Sequence, residues 1–410
     1  MKDLKPLFTF IDKNKDQMID LQTDLSAIEA MSPDNNGHGE WEKSLKLLEW
    51  VKKLGFTSIE EYHAPDKRVP QAKRPNLVVS LQGQVSRQLW IMTHMDVVPP
   101  GNLSLWKSDP FKVEVRGGKL VGRGVEDNQQ GLVASLFALS SYLSQNVKPY
   151  FTVKLLFVAD EETGSDYGIK YLLKKHLSLF KPDDLILVPD GGNPEGTMIE
   201  IAEKSILWLK FRVLGKQCHA SMPQKGINAF EAGSHLVVAL SDLRREFSGE
   251  NALFDPPVST FEPTKKEANV PNVNTLPGED VFYLDCRILP EIEVEKVLAS
   301  INMKIKEIEK QWGVKISYEI LHRESSPPTP ANSDLVNLVK AGVKHVYKND
   351  ARPMGIGGGT VAAHLREKKY DTVVWSTIEE NAHMPNESAR ISNMVNDAKV
   401  MAFLMAGGES

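Results

Sequence analysis

The sequence predicts an α/β protein: a main domain with a mostly parallel sheet, interrupted by an inserted ferredoxin-like βαββαβ domain. In the first 190 residues, continuous apolar segments typical of buried strands alternate with segments of helical periodicity. After residue 196 the order becomes strand, helix, strand, strand, helix, strand, which is typical of a ferredoxin-like domain. The chain has 410 residues, more than one hydrophobic core usually serves, so two domains are expected.

The elements of the main domain follow from periodicity and turn signals. Helical periodicity predicts helices from about Lys13 to Ala30, from Trp41 to Leu54 and over residues 129–145. Apolar runs predict strands at residues 75–83, 88–96, 151–160 and 184–190. The pair Gly117-Gly118 predicts a hairpin within residues 111–124. Residues 335–404 have the character of helix, strand, strand and helix.

The inserted domain is expected to cover residues 197–325, which leaves residues 1–196 and 326–410 for the main domain. Its strands are expected at residues 205–215, 257–266, 279–289 and 314–321, and its helices at 228–247 and 293–313. A segment rich in proline and serine (residues 324–334) follows and looks like a linker back to the main domain.

Composition excludes several classes of function. The net charge of −5 argues against nucleic acid or an anionic membrane surface as the main partner. There is no run of 18 apolar residues, and the first residues lack the apolar core of a signal peptide. Only two cysteines occur, Cys218 and Cys286, so no disulfide framework is implied. The cytoplasm is the expected location.

Five short segments bear acidic or histidine side chains, and each ends or interrupts a strand-like run. They are THMDVVP (93–99), GRGVED (122–127), ADEETGS (159–165), PDGG (189–192) and NAHMPNE (381–387). Two imidazoles and several carboxylates that converge on strand ends are typical ligands for a pair of divalent cations. This set predicts hydrolysis by a metal-activated water.

The spacing of His94 and Asp96 places both side chains on one side of an extended chain. Asp96 is then positioned to accept the second ring N–H of His94 and to orient it. The alternative is a solvent-exposed strand end. Asp127 follows a glycine-containing turn before a helix, where a carboxylate is either an N-cap or a ligand that bridges two cations.

Glu161 and Glu162 follow Asp160 at the end of an apolar strand, where three adjacent acids repel one another unless cations or protons compensate them. One of the two glutamates is expected to bind metal and the other to act as general base, and the residues alone do not say which. A solvated acidic turn is the alternative. Asp190 and His383 complete a mixed nitrogen and oxygen ligand set suited to zinc, cobalt or manganese.

With these motifs in this order, the chain resembles the co-catalytic zinc metallopeptidases and deacylases. That family includes aminoacylase, glutamate carboxypeptidase, succinyl-diaminopimelate desuccinylase, acetylornithine deacetylase and bacterial dipeptidases. The resemblance covers nearly the whole chain. It implies that residues 1–196 and 326–410 form a catalytic domain, and that residues 197–325 form a lid that also serves dimerisation.

The resemblance implies a role for each motif residue. His94 and Asp190 would hold one metal ion, and Glu162 and His383 the other. Asp127 would bridge the two ions, which are expected to be zinc, with cobalt or manganese as alternatives. Asp96 would orient His94, and Glu161 would be the general base. A cis peptide bond is expected between Asp127 and Asn128.

The resemblance also assigns residues outside the metal site. In the lid, His219 would stabilise the oxyanion of the tetrahedral intermediate. Asn274 and Arg287 match a lid segment whose residues serve either substrate binding or structure. The glycine-rich segment at residues 355–364, with Gly358, Gly359 and Thr360, would bind a substrate carboxylate. The lid is short, as in dimeric members, so a homodimer is expected in which His219 serves the partner's active site.

Two departures from the family pattern occur. The residues after Asp127 are Asn128-Gln129-Gln130-Gly131 in place of a lysine-containing run, and Glu203-Lys204-Ser205 replaces an Arg-Lys-Gly run. The second change removes a possible cationic contact with a substrate anion. Neither change touches a predicted metal ligand.

The resemblance narrows the substrate. Family members with aspartate at position 190 tend to be dipeptidases or aminopeptidases, whereas glutamate occurs in carboxypeptidases and deacylases. A dipeptidase or aminopeptidase is therefore expected, with an N-acyl amino acid deacylase as the alternative. A non-catalytic metal-binding protein is disfavoured because both the ligands and the separate base are present. An α/β binding protein without metal is the remaining rival.

Overall fold

A computed structural model describes residues 3–408 as two compact units. The first unit contains residues 3–201, 329–354 and 364–408, and the second contains residues 202–328 and 355–363. The helices, in chain order, are α1 (Lys5–Lys13), α2 (Lys15–Ser26), α3 (Trp41–Lys53), α4 (Gln130–Ser144), α5 (Ile169–Lys175), α6 (Ala229–Leu240), α7 (Leu243–Glu246), α8 (Val294–Trp312), α9 (Asp334–Tyr347), α10 (Ala362–Glu367) and α11 (Ile391–Met405).

The strands are numbered in the same way. They are β1 (Ile59–Glu61), β2 (Ala64–Pro65), β3 (Lys73–Arg74), β4 (Leu77–Leu81), β5 (Gln88–His94), β6 (Glu114–Arg116), β7 (Lys119–Val121), β8 (Thr152–Val158), β9 (Leu185–Gly192), β10 (Met198–Glu203), β11 (Ser205–Leu214), β12 (Cys218–His219), β13 (Thr260–Lys266), β14 (Thr275–Leu276), β15 (Glu279–Ile288), β16 (Lys315–Glu324), β17 (Arg352–Ile356), β18 (Asp371–Ser376) and β19 (Ser388–Arg390).

The first unit is built on an eight-stranded sheet in the order β1-β4-β8-β5-β9-β18-β10-β17. Its four central strands, β8, β5, β9 and β18, are parallel, and antiparallel strands join them on both sides. Every residue of β5 is buried, and helix α4 is buried over most of its length. This explains why these segments appear in the sequence as continuous apolar runs and confirms the predicted α/β class.

The second unit contains a four-stranded antiparallel sheet in the order β13-β15-β11-β16, with helices α6 and α8. The four strands of this sheet and helices α6 and α8 follow one another along the chain as βαββαβ, as predicted. Alternate residues of β11 are buried, and Phe211 stacks on Phe282 of the neighbouring strand with ring centroids 4.8 Å apart. One face of this sheet is therefore packed in a core of its own.

The strand β10 is the main element that the sequence analysis missed. It pairs antiparallel to β18 through Glu200 and Val374, so it belongs to the large sheet, although the inserted domain was expected to begin at residue 197. Only Lys204 separates β10 from β11, and the two strands therefore look like one apolar run in the sequence. Residues 355–363, expected in the main domain, cluster with the second unit.

The helix expected over residues 13–30 also differs from the structure. It is α2, and a separate helix α1 precedes it from Lys5. Asn14 separates them: its amide side chain donates to the carbonyl of Phe10 at 2.8 Å and ends α1. The hairpin predicted at Gly117-Gly118 is present as β6 and β7. Over residues 3–408, no helix is both long and apolar enough to cross a membrane.

Candidate metal centre

The predicted ligands follow the ends of adjacent strands in the first unit. His94 is the last residue of β5, Glu161 and Glu162 come shortly after β8, and Asp190 lies near the end of β9. These strands are parallel neighbours in the sheet. Their carboxyl ends therefore meet at one edge, which brings the polar side chains together.

Asp127 lies at the centre of this group. It is in the irregular turn Val125–Gln129 before α4, and its peptide bond to Asn128 is cis, as the resemblance implied. One carboxylate oxygen, Oδ1, is 2.9 Å from Nε2 of His94, and the other, Oδ2, is 3.0 Å from Nε2 of His383. The two oxygens thus face two different imidazoles, which is the geometry expected of a bridging carboxylate.

Two further carboxylates complete the group. Nε2 of His383 is 3.0 Å from a carboxylate oxygen of Glu162, and Nε2 of His94 is 3.7 Å from Oδ1 of Asp190. The ligand atoms of His94, Glu161 and Asp190 lie within 4.8 Å of one another, and so do those of His94, Asp127 and Glu162. The structure therefore brings together all the residues predicted to bind metal, and their donor set fits two divalent cations.

Asp96 faces both His94 and the acidic turn. Its backbone carbonyl is 3.1 Å, and its carboxylate 3.5 Å, from Nδ1 of His94. The carboxylate also accepts the backbone N–H groups of Glu161 at 3.1 Å and Glu162 at 3.0 Å. Asp96 thus fixes the ring of His94 and the turn that bears the two glutamates, a broader role than the sequence predicted.

The electrostatics show an excess of buried negative charge in the metal-free protein. Burial raises the pKa of Glu161 well above its usual range, and the neighbouring carboxylates raise it further. Burial, together with the charge of Asp127, raises the pKa of Glu162 to about 7. Burial and the nearby carboxylate of Asp127 also raise the pKa of Asp190. Buried carboxylates with raised pKa values are stabilised when they bind a proton or a cation.

The two histidines respond to the same charges. Hydrogen bonds to Asp127 and Glu162 raise the pKa of His383 to about 10. Burial alone would lower the pKa of His94, but Asp190 and Asp127 raise it well above its usual value. In the metal-free protein both rings therefore carry protons that partly neutralise the acids.

The remaining predicted site residues lie in the second unit. His219 is exposed in β12, and its Nδ1 is 2.8 Å from the hydroxyl of Ser221. The backbone carbonyl of Asn274 accepts from Ala220 at 2.9 Å. These contacts are local, and the catalytic role of His219 and the substrate contact of Asn274 stay predictions.

Arg287 and the glycine-rich segment are adjacent within the second unit. Arg287 forms two hydrogen bonds with Asp285, at 2.8 and 3.1 Å, and donates to the carbonyl of Gly357 at 3.0 Å. Gly358 and Gly359 follow directly. The hydroxyl of Thr360 donates to Glu203 at 2.5 Å, so in this structure it is engaged by a carboxylate of the protein. Substrate binding by these residues also stays a prediction.

Sequence reasoning missed the polar groups behind the site. Arg74 and Glu40 are completely buried and form a two-pronged ion pair, and Arg74 also lies 3.4 Å from Asp160. The side chain of Asn76 accepts the backbone N–H of Ala159 at 3.1 Å. These contacts anchor the turn before Glu161. Each residue is isolated in the sequence, and no local pattern marked its role.

An α/β domain with this cluster at its strand ends, and with a ferredoxin-like second unit, defines a metal-binding hydrolase of peptide or amide bonds. Comparison with known proteins agrees. The chain belongs to peptidase family M20/M25/M40, whose model matches residues 90–406.

Two relatives show how far the likeness in sequence extends. An uncharacterized metallohydrolase of Methanococcus maripaludis is 42% identical over 406 residues, covering 94% of this chain and 97% of that protein. A succinyl-diaminopimelate desuccinylase of Coxiella burnetii is 24% identical over 308 residues, covering 73% of this chain and 79% of that protein.

Solved structures share the fold at low identity. The di-peptidase Dug1p of Saccharomyces cerevisiae is 17% identical with a TM-score of 0.75, covering 100% of this chain and 99% of that one. The YXEP protein of Bacillus subtilis, a dinuclear metal binding peptidase, is 13% identical with a TM-score of 0.67, covering 96% and 98%. These likenesses show the fold and leave the substrate open.

Metal binding to the metal-free protein should release protons at pH 7. Because the pKa of His383 is raised to about 10, its ring is protonated at pH 7 and must lose a proton before Nε2 coordinates a metal. Affinity should therefore rise as the pH rises toward 10. Calorimetric titration with zinc, in buffers that differ in ionisation enthalpy, measures the number of protons released.

Two variants test whether the released protons come from His383. His383→Asn should release fewer protons than the wild type, whereas replacement of the exposed His38 by Asn should leave the number unchanged. A binding enthalpy that does not depend on the buffer would contradict the prediction.

Proposed function

We propose that this protein is a dinuclear-metal hydrolase that cleaves the amide bond of small peptides, as a dipeptidase or aminopeptidase. One observation carries the proposal: the two oxygens of Asp127 meet the imidazoles of His94 and His383, at 2.9 and 3.0 Å. A carboxylate held between two imidazoles is the arrangement that a bridged metal pair requires.

In this proposal His94 and Asp190 would hold one cation, Glu162 and His383 would hold the other, and Asp127 would serve both. Zinc is the proposed metal because imidazole and carboxylate ligands suit it, with cobalt or manganese as alternatives. When bound, such a pair supplies Lewis acidity and lowers the pKa of water from 15.7 to roughly 7.

Glu161 is the proposed general base. Asp96 holds its backbone N–H, so the carboxylate is positioned by a group that is itself buried. Burial raises the pKa of Glu161, which makes it a stronger proton acceptor than an ordinary carboxylate. It accepts a proton from water and then delivers one to the leaving amine.

The choice of peptide over acyl substrates rests on Asp190. In the family that the chain resembles, aspartate at this ligand position accompanies dipeptidases and aminopeptidases. The di-peptidase Dug1p, with its similar fold, is consistent with this choice. The desuccinylase of Coxiella burnetii favours the second candidate, an N-acyl amino acid deacylase of desuccinylase or deacetylase type.

The proposal includes a homodimer formed through the second unit, with His219 serving the partner's active site, and a cytoplasmic location. The second unit exposes large apolar side chains, among them Phe230, Val238 and Val273. Side chains of this kind suit an association surface where they form one contiguous patch. Sedimentation equilibrium gives the oligomeric state directly.

The substrate class is tested with a panel of free dipeptides and N-acetyl or N-succinyl amino acids, assayed with protein saturated in zinc or manganese. We expect hydrolysis of the free-amine dipeptides with the higher kcat/KM. A preference for the N-acyl substrates would replace the peptidase with the deacylase. No hydrolysis of either class by protein that binds two metal ions would contradict both.

Replacement of Glu161 by Gln should leave metal stoichiometry unchanged and lower kcat by about 10²- to 10⁴-fold, because an amide cannot accept the proton. Metal analysis and steady-state kinetics provide the two readouts. Glu195→Gln is the matched control, since Glu195 is an exposed glutamate in the loop after β9. Substantial activity in the Glu161→Gln variant would contradict the assignment of Glu161 as the general base.

A further inference from the structure

The loop that bears His383, residues 377–387, has a strained backbone. Three of its residues that are not glycine adopt left-handed conformations: Glu380 with φ 58°, His383 with φ 63° and Asn386 with φ 62°. Residues other than glycine rarely adopt this conformation because the Cβ atom crowds the backbone, and asparagine tolerates it best. The loop therefore keeps its shape only because its surroundings hold it.

Glu126, the residue before Asp127, provides part of this hold. Glu126 is 5% exposed, and its carboxylate accepts the backbone N–H of Asn381 at 2.9 Å and that of Glu379. Both donors belong to the His383 loop. A side chain from the Asp127 turn thus binds the backbone of the loop that carries the opposing histidine.

Glu387, at the end of the His383 loop, makes the reverse contact. Its carboxylate is 1% exposed and pairs with Arg123 at 2.7 Å. It also accepts the backbone N–H groups of Gly124 at 3.0 Å, Glu126 at 2.8 Å and Asp127 at 3.1 Å. A side chain from the His383 loop thus binds the backbone of the Asp127 turn.

We propose that Glu126 and Glu387 form a reciprocal clasp that positions His383 against Asp127. Two segments far apart in sequence each supply a buried carboxylate to the backbone of the other. The same two segments also meet at the metal centre, where Nε2 of His383 is 3.0 Å from Oδ2 of Asp127. Glu126 is then a positioning residue for the cation that Asp127, Glu162 and His383 would hold, an inference that rests on the proposed function.

Packing alone does not account for Glu126. A buried carboxylate is costly to desolvate, and within residues 3–408 Glu126 has no cationic partner within ion-pair distance. Two backbone N–H groups offset that cost only because each carboxylate oxygen accepts one of them. An apolar residue would fill the same space more cheaply, but it would leave the His383 loop without these two acceptors.

The test is the variant Glu126→Gln, which keeps the size of the side chain but has one acceptor oxygen instead of two. Titration calorimetry with zinc should resolve two binding events in the wild type. In the variant, we expect one event to weaken by about 10- to 100-fold, the range found when a residue that orients a metal ligand is lost. The other event, at His94 and Asp190, should be unchanged.

Asp184→Asn is the matched control. Asp184 is a carboxylate that is 1% exposed and accepts the backbone N–H of Lys181 and the indole N–H of Trp90, both at 2.8 Å. It lies just before β9, at the opposite end of that strand from the metal centre. Its loss should lower the melting temperature without changing either metal affinity.

Hydrogen exchange supplies a second readout that needs neither metal nor activity. In the metal-free wild type, the amides of Glu379 and Asn381 should be protected from exchange, and in Glu126→Gln they should exchange faster. Because the first of these measurements uses only the wild type, it applies even if the variant does not fold. Unprotected amides in the wild type would overturn the clasp.

The outcomes separate the clasp from the proposed function. If Glu126→Gln binds both ions as tightly as the wild type, or if both events weaken equally, the clasp is wrong and the metal centre stands. A wild type that binds no pair of ions contradicts the proposed function. The exchange rates of Glu379 and Asn381 still decide whether the clasp exists.

Discussion

The repulsion between buried carboxylates at the carboxyl edge of the central sheet is the constraint on which the structure depends. Asp127, Glu162 and Asp190 approach two imidazoles to between 2.9 and 3.7 Å, and Glu161 lies within the same group. Such a cluster is stable only when protons or cations compensate it. In the metal-free protein the two histidine rings and the carboxyl groups themselves hold the protons, which a pair of divalent cations would displace.

Besides the two histidine rings of the cluster, the scaffold places arginine side chains behind it. Arg74 pairs with Glu40 and lies near Asp160, while Arg123 pairs with Glu387. Backbone N–H groups also donate to the supporting carboxylates. Those that donate to Asp96 and Glu387 belong to the segments that bear the predicted ligands. The supporting carboxylates are therefore satisfied by the protein, and the charge of the ligand set is left for metal ions.

A site residue could be predicted from the sequence only when the neighbouring residues along the chain indicate its role. His94, Asp190 and the acidic pair after β8 follow apolar strands, so the rule that parallel strands end at one edge was sufficient to group them. Glu126 and Arg74 carry no such signal, because their partners come from distant segments. The predicted start of the inserted domain, residue 197, was wrong for a related reason. Strands β10 and β11 belong to different sheets but follow each other with one polar residue between them.

The fold does not select the substrate, since relatives with different activities share it, so selection must come from particular groups. Groups that bind the substrate carboxylate, as the resemblance implies for Gly358, Gly359 and Thr360, cannot distinguish a dipeptide from an N-acyl amino acid, because both substrates carry that carboxylate. The difference lies at the other end, where a dipeptide has a charged amine and an acyl substrate does not. Because an aspartate and a glutamate ligand carry the same charge, the net charge of the metal ligands cannot make this choice, and the side chains that contact the amine or acyl end of the substrate must make it.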